Sequence, residues 1–130
     1  MAASALILFA HGARDPRWAA PFNRLRDIVQ TNKPDIAVSV AFLELMTPGL
    51  PEVAQDMAAQ GCTRITIVPV FLGQGGHVLR DLPELVAQLR ESHPAMQIDV
   101  AQAVGENADV LNAIAAYCVN AMTETDSTAA

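Results

Sequence analysis

Apolar positions fall into two rhythms that alternate along the chain. Ser4–Ala10, "SALILFA", is a short continuous apolar run, the pattern of a parallel strand buried on both faces. After Asp15-Pro16, an N-cap followed by proline at the first helical position, Trp18, Phe22, Leu25 and Val29 recur at spacings of four, three and four. That period predicts a helix closing near Asn32-Lys33-Pro34. The unit then repeats, with residues 36–43 as a strand and Leu50, Val53 and Met57 on one helical face that stops at Gly61, a glycine suited to follow a helix C-cap. Residues 64–72 read as the third strand, with Pro69 in its last residues or at a bulge. Asp81, with Glu84 three residues on, resembles a capping arrangement that opens a third helix, which His93-Pro94 ends. Residues 96–104 form a fourth strand, and Val110, Leu111, Ile114, Cys118 and Met122 mark a last helix. The domain is expected to span residues 1–122, with a polar, disordered tail over residues 123–130.

Strict βα alternation predicts an α/β fold, an open parallel four-stranded sheet with helices on both faces and right-handed crossovers. A flavodoxin-like strand order of 2-1-3-4 is the simplest arrangement. A length of 130 residues suits one domain, and 52% apolar against 17% charged residues favours a sheet covered on both sides over disorder. The apolar runs are too short to cross a bilayer and no basic leader precedes them, so the expected location is cytoplasmic, with no membrane partner. Fourteen acidic and eight basic residues, a net charge of −6, argue against a nucleic-acid partner. Cys62 and Cys118 stand apart, with neither disulfide-framework nor zinc spacing, and are expected as buried thiols.

In an open α/β sheet, ligands bind beyond the carboxyl ends of the strands, where the winding direction reverses. His11 follows strand one, Glu44 follows strand two, and the glycine-rich residues 73–77 follow strand three, so all three features belong to one edge. Strands one and three would be neighbours at about 4.8 Å, which sets His11 opposite His77. Two imidazoles and a carboxylate suit a divalent first-row metal, and they also accept protons near neutral pH. His93, beside Pro94, reads instead as a helix-end residue. Arg14, Arg17 and Arg80 form the basic cluster of that edge in an acidic protein, which implies an anionic ligand. Gly75 and Gly76, ahead of a helix, can offer backbone N–H groups to a carboxylate or phosphate. A metal-binding or metal-delivery protein would use the same histidines, although a cation store gains nothing from nearby arginines. A histidine phosphatase would need arginine where Ala10 stands, and a receiver-type signalling domain would need acidic residues where His11-Gly12 stand.

The segments "LILFAHGARDPRW", "AFLELMTPGLP" and "VPVFLGQGGHVLRDLP" together resemble the short form of the sirohydrochlorin chelatases, the CbiX family of class II chelatases. The likeness runs along nearly the whole chain up to the tail. It implies insertion of a divalent ion, cobalt, nickel or iron, into sirohydrochlorin, an anionic tetrapyrrole with eight carboxylates, on the way to cobalamin, sirohaem or coenzyme F430. The ion is a substrate, and no organic cofactor is implied. Carried over by position, the family's metal-site histidines fall on His11 and His77 and its strand-two carboxylate on Glu44, which together make the catalytic set. Arg14, Arg17 and Arg80 and the amides of Gly75 and Gly76 would grip substrate carboxylates. Ala13 stands where the family commonly has serine, and the chain lacks the histidine-rich segment of some short members. Longer members hold two such lobes, which implies that this chain forms a homodimer whose crevices face each other.

Overall fold

The computed structural model describes residues 3–73 and 76–129, with the backbone alone at 76–79 and 124–129. In chain order the elements are β1 (Ser4–Ala10), α1 (Ala20–Asn32), β2 (Ala37–Phe42), α2 (Leu50–Ala59), β3 (Arg64–Pro69), α3 (Gly76–Ser92), β4 (Gln97–Val100) and α4 (Ala108–Ala129). Short 3-10 turns at Pro16–Ala19 and Val104–Glu106 lead into α1 and α4. The four strands are parallel in the order β2-β1-β3-β4, as the βα alternation predicts. β1 is registered from Ala5↔Ala37 to Ala10↔Phe42 on one side and from Ser4↔Arg64 to Phe9↔Pro69 on the other. Its carboxyl end therefore sits between those of β2 and β3.

The sheet divides the interior into two cores, because successive side chains on a strand point to opposite faces. On one face Ile7, Phe9, Ile65, Ile67 and Ile98 pack beneath Leu50, Val53 and Met57 of α2 and Val86 and Leu89 of α3. On the other, Leu8, Ala10, Val38, Val40 and Phe42 pack beneath Trp18, Phe22, Leu25 and Val29, the apolar stripe of α1 and its leading turn. Ile7, Phe9 and Ile67 are wholly buried, and each side chain of that size contributes about 1.5–3 kcal/mol by leaving water. Guanidinium groups close both edges of the sheet, where strand carbonyls would otherwise be open to further pairing. Arg26 Nε donates to the Val38 carbonyl at 3.0 Å and Arg90 Nη2 to the Ile98 carbonyl at 2.7 Å.

Several boundaries differ from the sequence expectation. Pro69 is indeed the last residue of β3; the strand stops there, and the Val70 N–H still donates to the Phe9 carbonyl of β1 at 2.8 Å. α3 begins at Gly76, so Asp81 lies inside the helix and pairs with Arg80 at 3.3 Å instead of capping. Pro83 lies within the same helix, where it forgoes one intrahelical hydrogen bond. Gly61 follows α2 at φ 91°, the left-handed position that ends a helix. The backbone of α4 continues helical through residues 123–129, where the sequence reading begins a polar tail. Cys62 is buried as expected, whereas Cys118 is exposed, because α4 does not pack on the sheet. Among the described residues no helix is long and apolar enough to cross a membrane.

Candidate functional site

β1 and β2 deliver His11 and Glu44 to the same point of the carboxyl edge. Beyond the paired strands the backbones stay zipped: Leu43 N–H donates to the Ala10 carbonyl at 2.9 Å and Glu44 N–H to the His11 carbonyl at 3.1 Å. Gly12 makes this approach possible. Its φ is 101°, and a Cβ there would collide with the carbonyl oxygen of Glu44. The two chains can therefore lie close enough for the side chains to meet, and His11 Nε2 sits 3.0 Å from Glu44 Oε1. Both side chains are about two-fifths exposed, so the pair is braced yet open to a ligand. Phe71, buried after β3, sets its ring edge-to-face with the His11 imidazole, centroids 6.5 Å apart, and with Phe9 behind it at 5.9 Å.

Beside the pair lies an open cavity of about 470 Å³ lined by Ala13, Arg14, Pro16, Leu45, Met46 and Thr47. Arg14 is exposed at its rim. Arg17 is engaged with Asp15, its Nη2 2.7 Å from Oδ2 while Asp15 also accepts from the Arg17 backbone N–H. The side-chain bond from Arg17 is the main reason that the Asp15 carboxyl titrates below its ordinary range and the Arg17 guanidinium above its own. Arg80, five residues into α3, pairs with Asp81. The expected arginine cluster is thus chemically divided, with two of its members each sharing charge with a neighbouring carboxylate.

His77 and Gly76 are described by backbone only, as the first residues of α3, and Gly75 lies outside the described residues. The expected meeting of His11 and His77 therefore involves a side chain outside the description. Among the described residues, no group of three or more His, Cys, Asp or Glu side chains is placed to hold a metal. His11 and Glu44 form a two-donor site, one imidazole nitrogen and one carboxylate oxygen, able to share a proton or to bind one side of a divalent cation. Sequence reasoning missed Phe71, the apolar cavity wall of Leu45 and Met46, and the role of Gly12. Only Gly12 carried a signal, as the glycine directly after a strand-end histidine.

Known proteins resemble the chain in sequence and in fold. The model of the CbiX family matches residues 5–120. A curated sirohydrochlorin cobaltochelatase of Methanocaldococcus jannaschii is 33% identical over 89 residues, 68% of this chain and 62% of that protein. The aligned part thus spans about three fifths of that relative's length. Among solved structures, a cobalamin (vitamin B12) biosynthesis CbiX protein from Marinobacter aquaeolei VT8 superposes with a TM-score of 0.83 at 28% identity, over 93% of this chain and 98% of that one. The sirohydrochlorin chelatase SirB of Bacillus subtilis subspecies spizizenii, in complex with cobalt, has the same fold at a TM-score of 0.77 and 22% identity. It matches 92% of this chain with only 51% of its own.

Proposed function

Since the chain belongs to the CbiX family, we propose that it is a sirohydrochlorin metal chelatase, a lyase that inserts divalent cobalt, nickel or iron into the tetrapyrrole. The observation that carries this reading is the half-exposed His11–Glu44 pair at the switch point, next to a cavity with an arginine on its rim. The names of the curated relatives, cobaltochelatases and a ferrochelatase, point to the same substrates.

Insertion exchanges one divalent ion for two pyrrole N–H protons, so the site must present a weakly held cation and accept protons beside it. His11 Nε2 and Glu44 Oε1 share a single hydrogen-bond position at 3.0 Å, which a cation can take over from the proton. Two or three protein donors leave coordination positions open to the incoming pyrrole nitrogens. We assign His11 and His77 as the holding ligands and Glu44 as the carboxylate that orients the ion or takes a proton, by the family resemblance together with the His11–Glu44 contact. Arg14 is the readiest partner for substrate carboxylates. Arg17 and Arg80 would have to share theirs with Asp15 and Asp81. Leu45 and Met46 offer apolar contact to the macrocycle. One open cavity covers one side of so large a ligand, and a bound ligand is usually mostly buried, so a second copy of the chain would supply the other wall.

Anaerobic incubation with sirohydrochlorin and each ion in turn tests the reading. The macrocycle's absorption bands should shift with at least one metal, and His11→Ala should abolish the shift while retaining the wild-type circular dichroism spectrum. A wild-type protein that binds the ion yet leaves the spectrum unchanged would instead be a metal-delivery protein.

A further inference from the structure

The segment that braces His11 is itself held from outside the site. β3 ends at Pro69, which has no N–H to give a neighbouring strand, and Val70 and Phe71 after it are tethered on both sides. The Val70 N–H donates to the Phe9 carbonyl of β1 at 2.8 Å, and the Phe71 carbonyl accepts from the Gly105 N–H at 2.9 Å. Gly105 is the middle residue of the 3-10 turn that follows β4. That turn has its own supports. Ala103 is buried, the Glu106 N–H donates to the Ala103 carbonyl at 3.0 Å, and Asn107 Oδ1 accepts from the Val110 N–H at 3.1 Å at the start of α4.

Gly105 is a glycine for room and not for backbone conformation. Its φ lies outside the left-handed region, whereas a Cβ there would be driven into the backbone carbonyl and Cα of Leu72. Gly12 does the same on the other side of His11, where it admits the Glu44 backbone. The consequence of the Gly105 contact reaches the imidazole. Phe71 is buried, edge-to-face with Phe9 at 5.9 Å and with His11 at 6.5 Å. Glu44 holds the His11 ring at Nε2 from the β2 side, and the Phe71 ring bounds it from the β3 side. One hydrogen bond fixes a point on a ring; the second contact fixes its plane.

We propose that Phe71 and Gly105 are positioning residues of the insertion reaction. Through Gly105 the 3-10 turn fixes the backbone of residues 71–72, and Phe71 passes that placement to the His11 imidazole, which then meets the ion in one orientation. The inference rests on His11 being a metal ligand, as proposed above. Neither a phenyl ring nor a glycine in a turn can coordinate a divalent ion or take a proton, so their effect on cation binding comes by way of the imidazole.

Two variants test the route from its two ends. Phe71→Leu keeps an apolar side chain in the core but removes the ring, and Gly105→Ala keeps the ring but displaces the backbone beside it. In protein carrying isotopically labelled histidine, the His11 ring resonances should shift or broaden in Gly105→Ala, while those of His93, between α3 and β4 at the other end of the sheet, stay in place. Affinity for divalent cobalt alone, measured by calorimetry, should fall on the order of tenfold in each variant. The double variant should lose little more than the weaker-binding single one, because both changes act on one contact. In the insertion assay Phe71→Leu should lower kcat with KM for the tetrapyrrole nearly unchanged. Unmoved His11 resonances with wild-type cobalt affinity in both variants would overturn the proposal, and so would losses that multiply in the double variant. A His11 shift seen only in samples whose light-scattering mass has also changed would place the effect in subunit association and overturn the route within one chain. Should Gly105→Ala fail to fold, the cobalt affinity of Phe71→Leu decides alone. If the wild type inserts no metal, the chelatase reading falls, while the resonances and the cobalt titration still decide the positioning.

Discussion

At the residue scale the site rests on an exchange between backbone strain and side-chain placement. Gly12 occupies a left-handed conformation pressed against the Glu44 carbonyl, so Gly12→Ala must both strain its own backbone and push β1 and β2 apart at their ends. The expected cost is roughly 1–3 kcal/mol, with insertion activity reduced in the protein that remains folded, as a thermal melt and the absorption assay would show. A melt and rate like the wild type would remove Gly12 from the site. Leu45 presents the converse case, a non-glycine residue at φ 66° with its side chain exposed beside the cavity. Leu45→Gly should leave the melting temperature unchanged or raise it while raising KM for the tetrapyrrole, because it relieves strain and deletes a wall. A lowered melting temperature with KM unchanged would make Leu45 purely structural. The depressed Asp15 carboxyl adds stability above its unfolded-state value, lost as pH falls through the lower folded value. NMR titration of Asp15 should therefore show a midpoint below the usual carboxylate range, and Arg17→Ala should restore it.

At the element scale β1 and β3 are the frame on which everything else hangs. β1 is buried between layers, and β3, part-exposed on one face, carries Ile67 at zero exposure on the face toward α2 and α3. Ile67→Ala is expected to cost about 2–5 kcal/mol in denaturant unfolding, since the rigid surroundings cannot close over the lost methyl groups. A cost well under 1 kcal/mol would mean that this core is loosely packed. α2 and α3 share the stripe that the sequence period predicts, and their burial follows from it. α4 has a weaker stripe, and its residues 111–120 are all exposed, so periodicity shows which side of a helix is apolar but not what covers it.

For the whole molecule, the open cavity, the part-exposed outer face of β3 and β4 and the exposed residues of α4 all face solvent. If activity needs the paired form, specific insertion activity should fall when the protein is diluted below its dimerisation range, in step with the mass from light scattering. Activity per chain that stays constant through the change in mass would show that one lobe suffices. In the solved SirB structure, this chain matches 51% of one polypeptide with the same fold.

Local pattern was enough to reveal the strand and helix order, the parallel sheet, the 2-1-3-4 arrangement and the carboxyl edge on which His11 and Glu44 lie, because each follows from side-chain period and the handedness of βα units. The resemblance of the three quoted segments placed the chain in its family before any geometry was known. Only the tertiary structure decided that Glu44 reaches His11 directly, through backbone zipping that Gly12 permits, since contacts between residues 33 apart in sequence leave no local trace. It also decided that Arg17 and Arg80 pair with nearby carboxylates, that α3 starts at Gly76 instead of at Asp81, and that Cys118 is exposed. The common reason is physical: hydrophobic period records how much apolar surface a segment has to hide, whereas the partner that hides it, within the chain or in another copy, is settled by packing.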